Sequence, residues 1–231
     1  MQIVFLCGGL GTRLKNIDNK NPKIMKVINK KPFLHYLLKS IENFEFSSIH
    51  FCLGYKSEKI IPYLQTIGKN ISYTVEDDNN LLGTGGAIKN CLEFLEKDFI
   101  VQYGDTILKL DYDHLFQIHL SSNKKMTMTI LDAKLTKEKP NIYCKNINGH
   151  SKSFIYSKKS ELKDANFIDY GALVFKRSVF EKKFKNKFQL SEIQEHLTKS
   201  YQSEFLEVFY PYLEIGTPQS YNEATKKLND L

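Results

Sequence analysis

The chain of 231 residues contains no tryptophan, only four cysteines and no long apolar run. A membrane-spanning helix needs about 18 or more consecutive apolar residues, so the sequence predicts no transmembrane segment. The first residues also lack the basic segment, apolar segment and small-residue cleavage site of a signal peptide. We therefore expect a cytoplasmic protein without a membrane partner.

The cysteines are far apart along the chain, at Cys7, Cys52, Cys91 and Cys144. They form no C-x-x-C pair, and no Cys/His cluster has the spacing of a zinc site. The histidines are scattered, and none lies beside a Ser or Cys and an acid in the pattern of a catalytic triad. The sequence therefore predicts buried, reduced thiols.

The formal net charge of +7 is one that nucleic-acid-binding proteins often carry. However, the lysines are spread over the whole chain, and the aromatic residues form no RNA-recognition pattern such as RNP1. We expect no nucleic-acid partner, because a basic surface that attracts nucleoside triphosphates is enough to explain the excess.

The most informative stretch follows an apolar run at residues 3–6, which is typical of a buried strand. It reads Cys-Gly-Gly-Leu-Gly-Thr-Arg-Leu over residues 7–14, with Pro-Lys at 22–23. Glycines let the backbone turn sharply and approach a ligand, and backbone N–H groups in such a turn bind anions. With the cations of Arg13 and Lys23, the stretch predicts a phosphate site; a glycine-rich turn that binds nothing is the alternative.

Two familiar glycine motifs are excluded at this position. The P-loop sequence G-x-x-x-x-G-K-[ST] occurs nowhere in the chain. The dinucleotide motif G-x-G-x-x-G fails because Leu14 stands where the third glycine should be. The phosphate site is thus of another kind.

Strand and helix patterns alternate over residues 1–122. Apolar runs predict strands at residues 49–53, 71–75 and 99–103, and amphipathic stretches predict helices at 32–44, 82–95 and in a segment that Ser57 caps. This alternation predicts a parallel sheet with right-handed crossovers, whose ligands bind beyond the carboxyl ends of the strands. The glycine-rich loop at residues 7–14, a second one at residues 82–87 and Asp105 all fall at such ends.

The pattern changes after residue 122. Apolar stretches at residues 126–131, 142–145, 154–156 and 167–175 predict mixed or antiparallel strands, and Asn-Gly at 148–149 predicts a hairpin. A helix at about 190–200, a strand at 205–209 and a last helix at 219–228 follow. We predict a single domain over residues 1–231.

Four motifs resemble those of the sugar-1-phosphate nucleotidyltransferases, also called nucleoside-diphosphate-sugar pyrophosphorylases. G-G-x-G-T-R-L followed by P-K resembles their signature, and residues 82–87 (Leu-Gly-Thr-Gly-Gly-Ala) resemble their L-G-T-[AG]-G-A loop. Gly104-Asp105 resembles their G-D pair, and residues 213–218 resemble their D-x-G-T-P segment with Glu214 where Asp is usual. The resemblance implies a Rossmann-like α/β nucleotidyltransferase fold with a central mixed, mostly parallel sheet flanked by helices. It divides the domain into a nucleotide-binding half, residues 1–122, and an acceptor-binding half, residues 123–231.

The resemblance also implies the residues of the site. Arg13 and Lys23 would be catalytic, neutralising the triphosphate and contacting the α-phosphate or the acceptor phosphate. Asp105 and Glu214 would hold Mg²⁺, although a turn aspartate and a solvent-facing strand glutamate are the alternatives. The nucleotide would be bound by Leu6, Gly8, Gly9, Gly11, Thr12, Arg13, Gly83, Thr84, Gly85, Gly86 and Asp105.

The acceptor site implied by the resemblance is less well matched. Lys158 stands near the family's acidic-Lys pair, with Ser157 in place of the carboxylate and Lys159 an equal candidate for the lysine. Asp169 and Gly171 resemble its N/D-x-G motif, and Glu192 corresponds to an acidic residue after the substrate loop. A simple surface role is an equal alternative for each of these.

The reaction implied joins a nucleoside triphosphate to a phosphorylated small-molecule acceptor and releases pyrophosphate. The pattern is most similar to the heptose/mannose-1-phosphate guanylyltransferase branch. This favours GTP and D-glycero-D-manno-heptose 1-phosphate, in a route to surface polysaccharide. A cytidylyltransferase acting on a sugar phosphate or a small non-sugar phosphate, and a non-catalytic nucleotide-sensing subunit, are the alternatives. A homodimer is compatible with the resemblance.

Overall fold

The computed structural model describes residues 1–14, 16–68, 70–147, 151–158, 162–181 and 185–228. The strands are β1 Gln2–Leu6, β2 Val27–Ile28, β3 Lys31–Pro32, β4 Ser48–Leu53, β5 Ile71–Val75, β6 Asp98–Tyr103, β7 Thr106–Ile107, β8 Met126–Asp132, β9 Ile142–Ile147, β10 Ser151–Tyr156, β11 Phe167–Lys176, β12 Ser203–Val208 and β13 Leu213–Glu214. The α-helices are α1 Phe33–Lys39, α2 Ile61–Gln65, α3 Gly83–Asn90, α4 Tyr112–Ser122, α5 Leu190–Lys199 and α6 Pro218–Lys227. None of the helices in these ranges is both long and apolar enough to span a membrane.

A central nine-stranded sheet runs through the described residues in the order β10-β9-β11-β6-β1-β4-β5, with β8 pairing to β11 and β12. In its first half β6, β1, β4 and β5 are all parallel, and Leu6 lies in register with both Cys52 and Tyr103. The carboxyl ends of β1, β4 and β6 therefore meet at one edge. The parallel sheet predicted from the alternating pattern is confirmed.

The second half of the chain adds mostly antiparallel pairs. Strand β11 runs antiparallel to β6, β8 and β9, and its pairing with β8 is interrupted between Asp169 and Leu173. Gly171 occupies this irregularity with a φ of 108°, a conformation that favours glycine. Strands β9 and β10 pair antiparallel as a hairpin would, although the predicted Asn148-Gly149 turn lies outside the described residues.

Apolar residues face both sides of the sheet, as expected when helices cover each face. Along β1, Ile3 and Phe5 belong to one buried cluster and Val4 to the other. Successive side chains of a strand point to opposite faces. The continuous apolar run at the start of the chain is therefore explained by burial on two sides.

Three predicted helices differ from the observed ones. The helix predicted over residues 82–95 ends at Asn90 and is followed by a separate 3₁₀ turn at Leu92–Phe94. The helix predicted over residues 32–44 ends at Lys39, where the Ser40 hydroxyl bonds back to the Leu37 carbonyl at 2.7 Å. The helix that Ser57 was predicted to cap begins only at Ile61, because Pro62 suits a first turn and not an interior. Ser57 instead starts a short 3₁₀ turn preceded by Lys56.

Candidate active site

A cavity of about 470 Å³ opens at the edge where β1, β4 and β6 end. It brings together residues from the two glycine-rich loops, which are distant in sequence. The predicted site residues that line it are Leu6, Gly8, Gly9, Gly11, Thr12, Arg13, Lys23, Gly83, Thr84 and Asp105.

The first glycine-rich loop forms one wall of this cavity. A methyl group built on Gly9 would meet nothing within 4 Å, so the space beside it is open for a ligand. Gly11 has a φ of 58°, which lets the chain turn into the 3₁₀ turn at Thr12–Leu14. Leu14 is buried, and this anchors the turn that presents the exposed Arg13.

In the second glycine-rich loop, two of the predicted binding residues line the cavity, and two glycines instead allow close packing. Gly83 and Thr84 line the cavity, while Gly85 and Gly86 are not among the described residues of its wall. A Cβ on Gly85 would lie 2.2 Å from the Phe188 ring, and one on Gly86 would lie 2.4 Å from the Asn186 carbonyl oxygen. These two glycines therefore let helix α3 pack against the segment that precedes α5.

Glu76 lines the same cavity but was absent from the sequence prediction. It is buried, and one carboxylate oxygen accepts a hydrogen bond from the Leu82 backbone N–H at 3.0 Å. Burial raises the pKa of Glu76, while the bond from Leu82 lowers it. Because Glu76 follows β5 directly, the strand-end argument that selected Asp105 would also have found it.

Gln189 is a second residue that sequence reasoning missed. It lines the cavity, and its side-chain oxygen accepts a hydrogen bond from the Thr84 hydroxyl at 3.2 Å. No motif marks it, because its position depends on how the chain before α5 folds over the second glycine-rich loop.

Asp105 and Lys23 form an ion pair at the edge of the cavity. Their side chains are 31% and 15% exposed, respectively. The second oxygen of Asp105 accepts a hydrogen bond from the Thr106 hydroxyl at 3.0 Å. A partly buried carboxylate requires a compensating cation or hydrogen bonds, and here both are present.

A second cavity, of about 270 Å³, adjoins the first, since Tyr103 and Asp105 line both. The predicted residues on its wall are Asp105, Lys158, Asp169, Gly171 and Glu214. The short pair β7–β13 aligns Glu214 with Thr106, and the Ile215 N–H donates to the Asp105 carbonyl at 3.1 Å. The two carboxylates thus open on one cavity, and such hard oxygen donors suit Mg²⁺.

Asp169 is held at the wall of the second cavity by two hydrogen bonds. Its carboxylate accepts from the Gln194 amide at 2.7 Å and from the Gly171 N–H at 3.0 Å. Burial raises the pKa of Asp169, and these bonds together with the nearby Lys158 cation lower it. The Asp169 carboxylate is therefore held in a fixed position and has a perturbed pKa, which is a common feature of ligand-binding positions.

Ser157 stands where the resemblance predicts a carboxylate, and an acidic group from another element lies beside it. Glu195 on α5 accepts hydrogen bonds from the Ser157 hydroxyl at 3.3 Å and from the Lys158 N–H at 3.0 Å. An acidic group therefore stands next to Lys158 despite the change at 157. Lys159 lies outside the described residues.

Glu192 has a structural role in the described part of the chain. Its exposed carboxylate accepts a hydrogen bond from the Gln189 N–H at 3.0 Å and completes the capping box at the start of α5. It is not among the described residues that line either cavity. On α5, Glu195 is the acidic residue that contacts the second cavity's Lys158.

The chain is similar in sequence to known proteins along nearly its whole length. The sequence model of the family described as Nucleotidyl transferase matches residues 2–230. The chain is 28% identical over 235 residues to the D-glycero-alpha-D-manno-heptose 1-phosphate guanylyltransferase of Aneurinibacillus thermoaerophilus, covering 99% of this chain and 98% of that one. It is 40% identical over 117 residues to the enzyme of the same name from Campylobacter jejuni, covering 50% and 52% of the two chains.

Solved structures show the same architecture. HddC from Yersinia pseudotuberculosis, complexed with GMP-PN, superposes with a TM-score of 0.79 at 27% identity and 99% coverage of both chains. A UDP-glucose pyrophosphorylase complexed with UDP-glucose superposes with a TM-score of 0.75 at 15% identity, covering 99% of this chain and 98% of that one. The α/β fold predicted from the sequence, with its mixed, mostly parallel sheet, is confirmed.

Proposed function

The chain belongs to the Nucleotidyl transferase family, and we propose that it transfers guanylyl from GTP to D-glycero-D-manno-heptose 1-phosphate. The products would be pyrophosphate and a GDP-heptose for surface polysaccharide synthesis. The likeness to a heptose 1-phosphate guanylyltransferase along nearly the whole chain supports the acceptor. The observation that carries the choice of nucleotide is the Glu76 carboxylate in the wall of the first cavity.

An ionised carboxylate only accepts hydrogen bonds. Guanine presents two adjacent donors on its pairing edge, the N1–H and the N2 amino group. The two donors can bind one to each carboxylate oxygen, or both to the same oxygen. Cytosine presents a single amino donor beside the N3 acceptor, whose lone pair a carboxylate repels. The Leu82 N–H already fixes one oxygen of Glu76, so the side chain is oriented before the base binds.

The first cavity also provides for the triphosphate. Its glycine-rich backbone, Arg13 and Lys23 supply the N–H groups and cations that phosphate oxygens require. An acceptor phosphate oxygen is nucleophilic enough to attack the α-phosphorus in line without a protein base. Catalysis then consists of positioning and charge neutralisation, with Arg13 stabilising the departing pyrophosphate.

Mg²⁺ is the cofactor we propose, held by Asp105 and Glu214. When bound, it would neutralise phosphate charge that the two protein cations leave uncompensated. The protein's part is to keep both carboxylates on the shared cavity wall, which the β7–β13 pair does.

The acceptor would occupy the second cavity. Lys158 lines this cavity and would bind the acceptor phosphate, and the carboxylate of Asp169 on the same wall would accept hydrogen bonds from sugar hydroxyl groups. Glu195 restores an acidic group near Lys158. We propose residues 1–122 as the nucleotide-binding half and residues 123–231 as the acceptor-binding half of a single domain.

Pyrophosphate release tests this function. The purified protein is assayed with Mg²⁺ and each of the four nucleoside triphosphates, in combination with heptose 1-phosphate, mannose 1-phosphate and a small non-sugar phosphate. We expect the highest kcat/KM for GTP with heptose 1-phosphate. Release with CTP alone would contradict the guanine assignment. Nucleotide binding without release for any pair would support the non-catalytic, nucleotide-sensing alternative.

A further inference from the structure

Three potential metal ligands meet behind the first cavity, outside the groups used above. The ligand atoms of His50, Cys52 and Cys91 all lie within 4.8 Å of one another. All three residues are buried, with at most 1% of their surface exposed. His50 and Cys52 are two residues apart on β4 and so share a face, while Cys91 ends helix α3. Cys91 is far from the other two in sequence and the three do not have the spacing of a zinc motif, so only the folded structure brings them together; the predicted burial of Cys52 and Cys91 as free thiols is confirmed.

We propose that His50, Cys52 and Cys91 form a binding site for a soft transition-metal ion, with Zn²⁺ as the best-fitting ion. The Cys52 and Cys91 sulfur atoms are 3.6 Å apart. Two thiolates that each lie about 2.3 Å from a tetrahedral zinc ion are about 3.8 Å from one another. The sulfur atoms therefore already stand close to the separation that zinc requires.

The imidazole of His50 is oriented by its surroundings. Its Nδ1 lies 2.8 Å from the Ser72 hydroxyl and its Nε2 lies 3.3 Å from the Thr74 hydroxyl, and the ring stacks on Phe94 at 5.4 Å between centroids. Metal-bound histidines typically hydrogen-bond through the nitrogen that does not ligate. Metal binding through Nε2 would displace the longer contact, to Thr74, and leave Nδ1 bonded to the Ser72 hydroxyl.

Charge balance favours this ion in a buried position. Two thiolates and a neutral imidazole carry a charge of −2, which a divalent zinc ion cancels, so the loaded site adds no net charge to the interior. Binding would release the two thiol protons to solvent. Soft thiolate ligands also disfavour Mg²⁺, so this site would not compete with Asp105 and Glu214 for the same ion.

The cluster is connected to the nucleotide cavity. Cys52 and Ala87 both line that cavity, and the Cys52 thiol lies 3.8 Å from the Ala87 carbonyl oxygen. The Cys91 thiol donates to the Ile88 carbonyl at 3.2 Å. An ion at this position would tie β4 to the helix that the second glycine-rich loop begins.

Metal binding to the reduced full-length protein tests the proposal. After chelator treatment and removal of the chelator, the protein is dialysed against Zn²⁺ and the bound metal is quantified. We expect one zinc ion per chain, with affinity reduced at least about tenfold in Cys52→Ser and Cys91→Ser. The matched control is Cys144→Ser, which changes a cysteine outside the cluster and should bind zinc as the wild type does.

A spectroscopic measurement shows, without any substitution, whether thiolates ligate the ion. Co²⁺ in place of Zn²⁺ should give a thiolate-to-cobalt charge-transfer band and the intense visible bands of tetrahedral coordination. Binding that is equal in all variants, or a cobalt spectrum without the thiolate band, would overturn the proposal. The cobalt spectrum tests the proposal even if a cysteine variant fails to fold, because it uses the wild-type protein. Carboxylate sites such as Asp105 and Glu214 give no thiolate band.

Discussion

Lys23 donates a hydrogen bond to the carboxylate of Asp105, which lies 82 residues further along the chain. Asp105 lines both cavities and Lys23 lines the first, so the ion pair stands where the two cavities meet. In this arrangement each group neutralises the charge of the other. A phosphorylated substrate that binds Lys23 must therefore compete with Asp105.

Replacing Lys23 with methionine should lower kcat for pyrophosphate release by about 10²–10³, by analogy with the loss of one oxyanion donor. The apolar stem is retained while the cation is lost. Lys20→Met is the matched control, because it removes an exposed lysine of the same loop that lines neither cavity. Equal losses in both variants would show that Lys23 has no special role.

Asp105→Asn should lower kcat by more than about 10² and raise the Mg²⁺ concentration needed for half-maximal activity, because an amide binds the ion more weakly than a carboxylate. Glu214→Asp should retain more activity than Glu214→Gln, since it keeps the charge. Asp113→Asn, at an exposed position on α4, is the control. An unchanged magnesium requirement in Asp105→Asn would exclude it as a ligand.

Two glycines should respond differently to alanine. Gly9→Ala fills open space, so the melting temperature should be unchanged while KM for the nucleotide rises. Gly85→Ala places a Cβ against the Phe188 ring and should destabilise the fold by about 1–3 kcal/mol, the usual cost of overpacking. Thermal unfolding and steady-state kinetics on both variants separate the two effects. A Gly9→Ala variant with a lowered melting temperature and a normal KM would show that Gly9 serves packing and not nucleotide binding.

Asp169→Asn should stabilise the protein by on the order of 1 kcal/mol, the net worth of a typical hydrogen bond. The amide avoids the cost of a buried charge that raises the pKa of Asp169. If the Gln194 amide rotates, its oxygen, which has no hydrogen-bond partner among the described residues, can accept from the new amide at position 169 in place of the present Gln194 donation. The same change should raise KM for the acceptor and leave KM for the nucleotide unaltered.

The pH dependence of this effect has a definite sign. An acid whose pKa is raised by folding binds its proton more tightly in the native state, so stability falls as the pH rises from the ordinary value of 3.8 through the raised pKa of Asp169. The stability difference between Asp169→Asn and the wild type should therefore grow over that window and stay constant above it. Denaturant titrations at several pH values measure it, and a difference that shrinks with rising pH would contradict the assignment.

Glu76→Gln should raise KM for GTP by about 10-fold or more, the effect of losing a charged hydrogen-bond partner, and should reduce discrimination against CTP. Asp78→Asn provides the control, since it changes an exposed carboxylate of the same loop. Kinetics with both nucleotides measure the ratio of kcat/KM. A ratio equal to that of the wild type would assign guanine recognition elsewhere.

The part of this site that follows the sheet could be predicted from the sequence. The apolar run before Gly8 and the one before Asp105 are local patterns, and parallel strands bring their carboxyl ends to one edge. The strand positions and the glycine-rich loops were therefore predicted from short stretches. Glu76 was within reach of the same reasoning, because it directly follows β5.

The contacts made across the fold were decided only by tertiary structure. The ion pair of Lys23 with Asp105, the approach of Glu195 to Lys158 and the capping role of Glu192 depend on side chains whose elements meet only after folding. The sequence by itself determined the fold and the sheet edge at which the glycine-rich loop and Asp105 meet, since periodicity and glycine act locally. Tertiary structure alone decided which glycines line the first cavity and that His50, Cys52 and Cys91 meet, because packing joins positions whose spacing along the chain carries no signal.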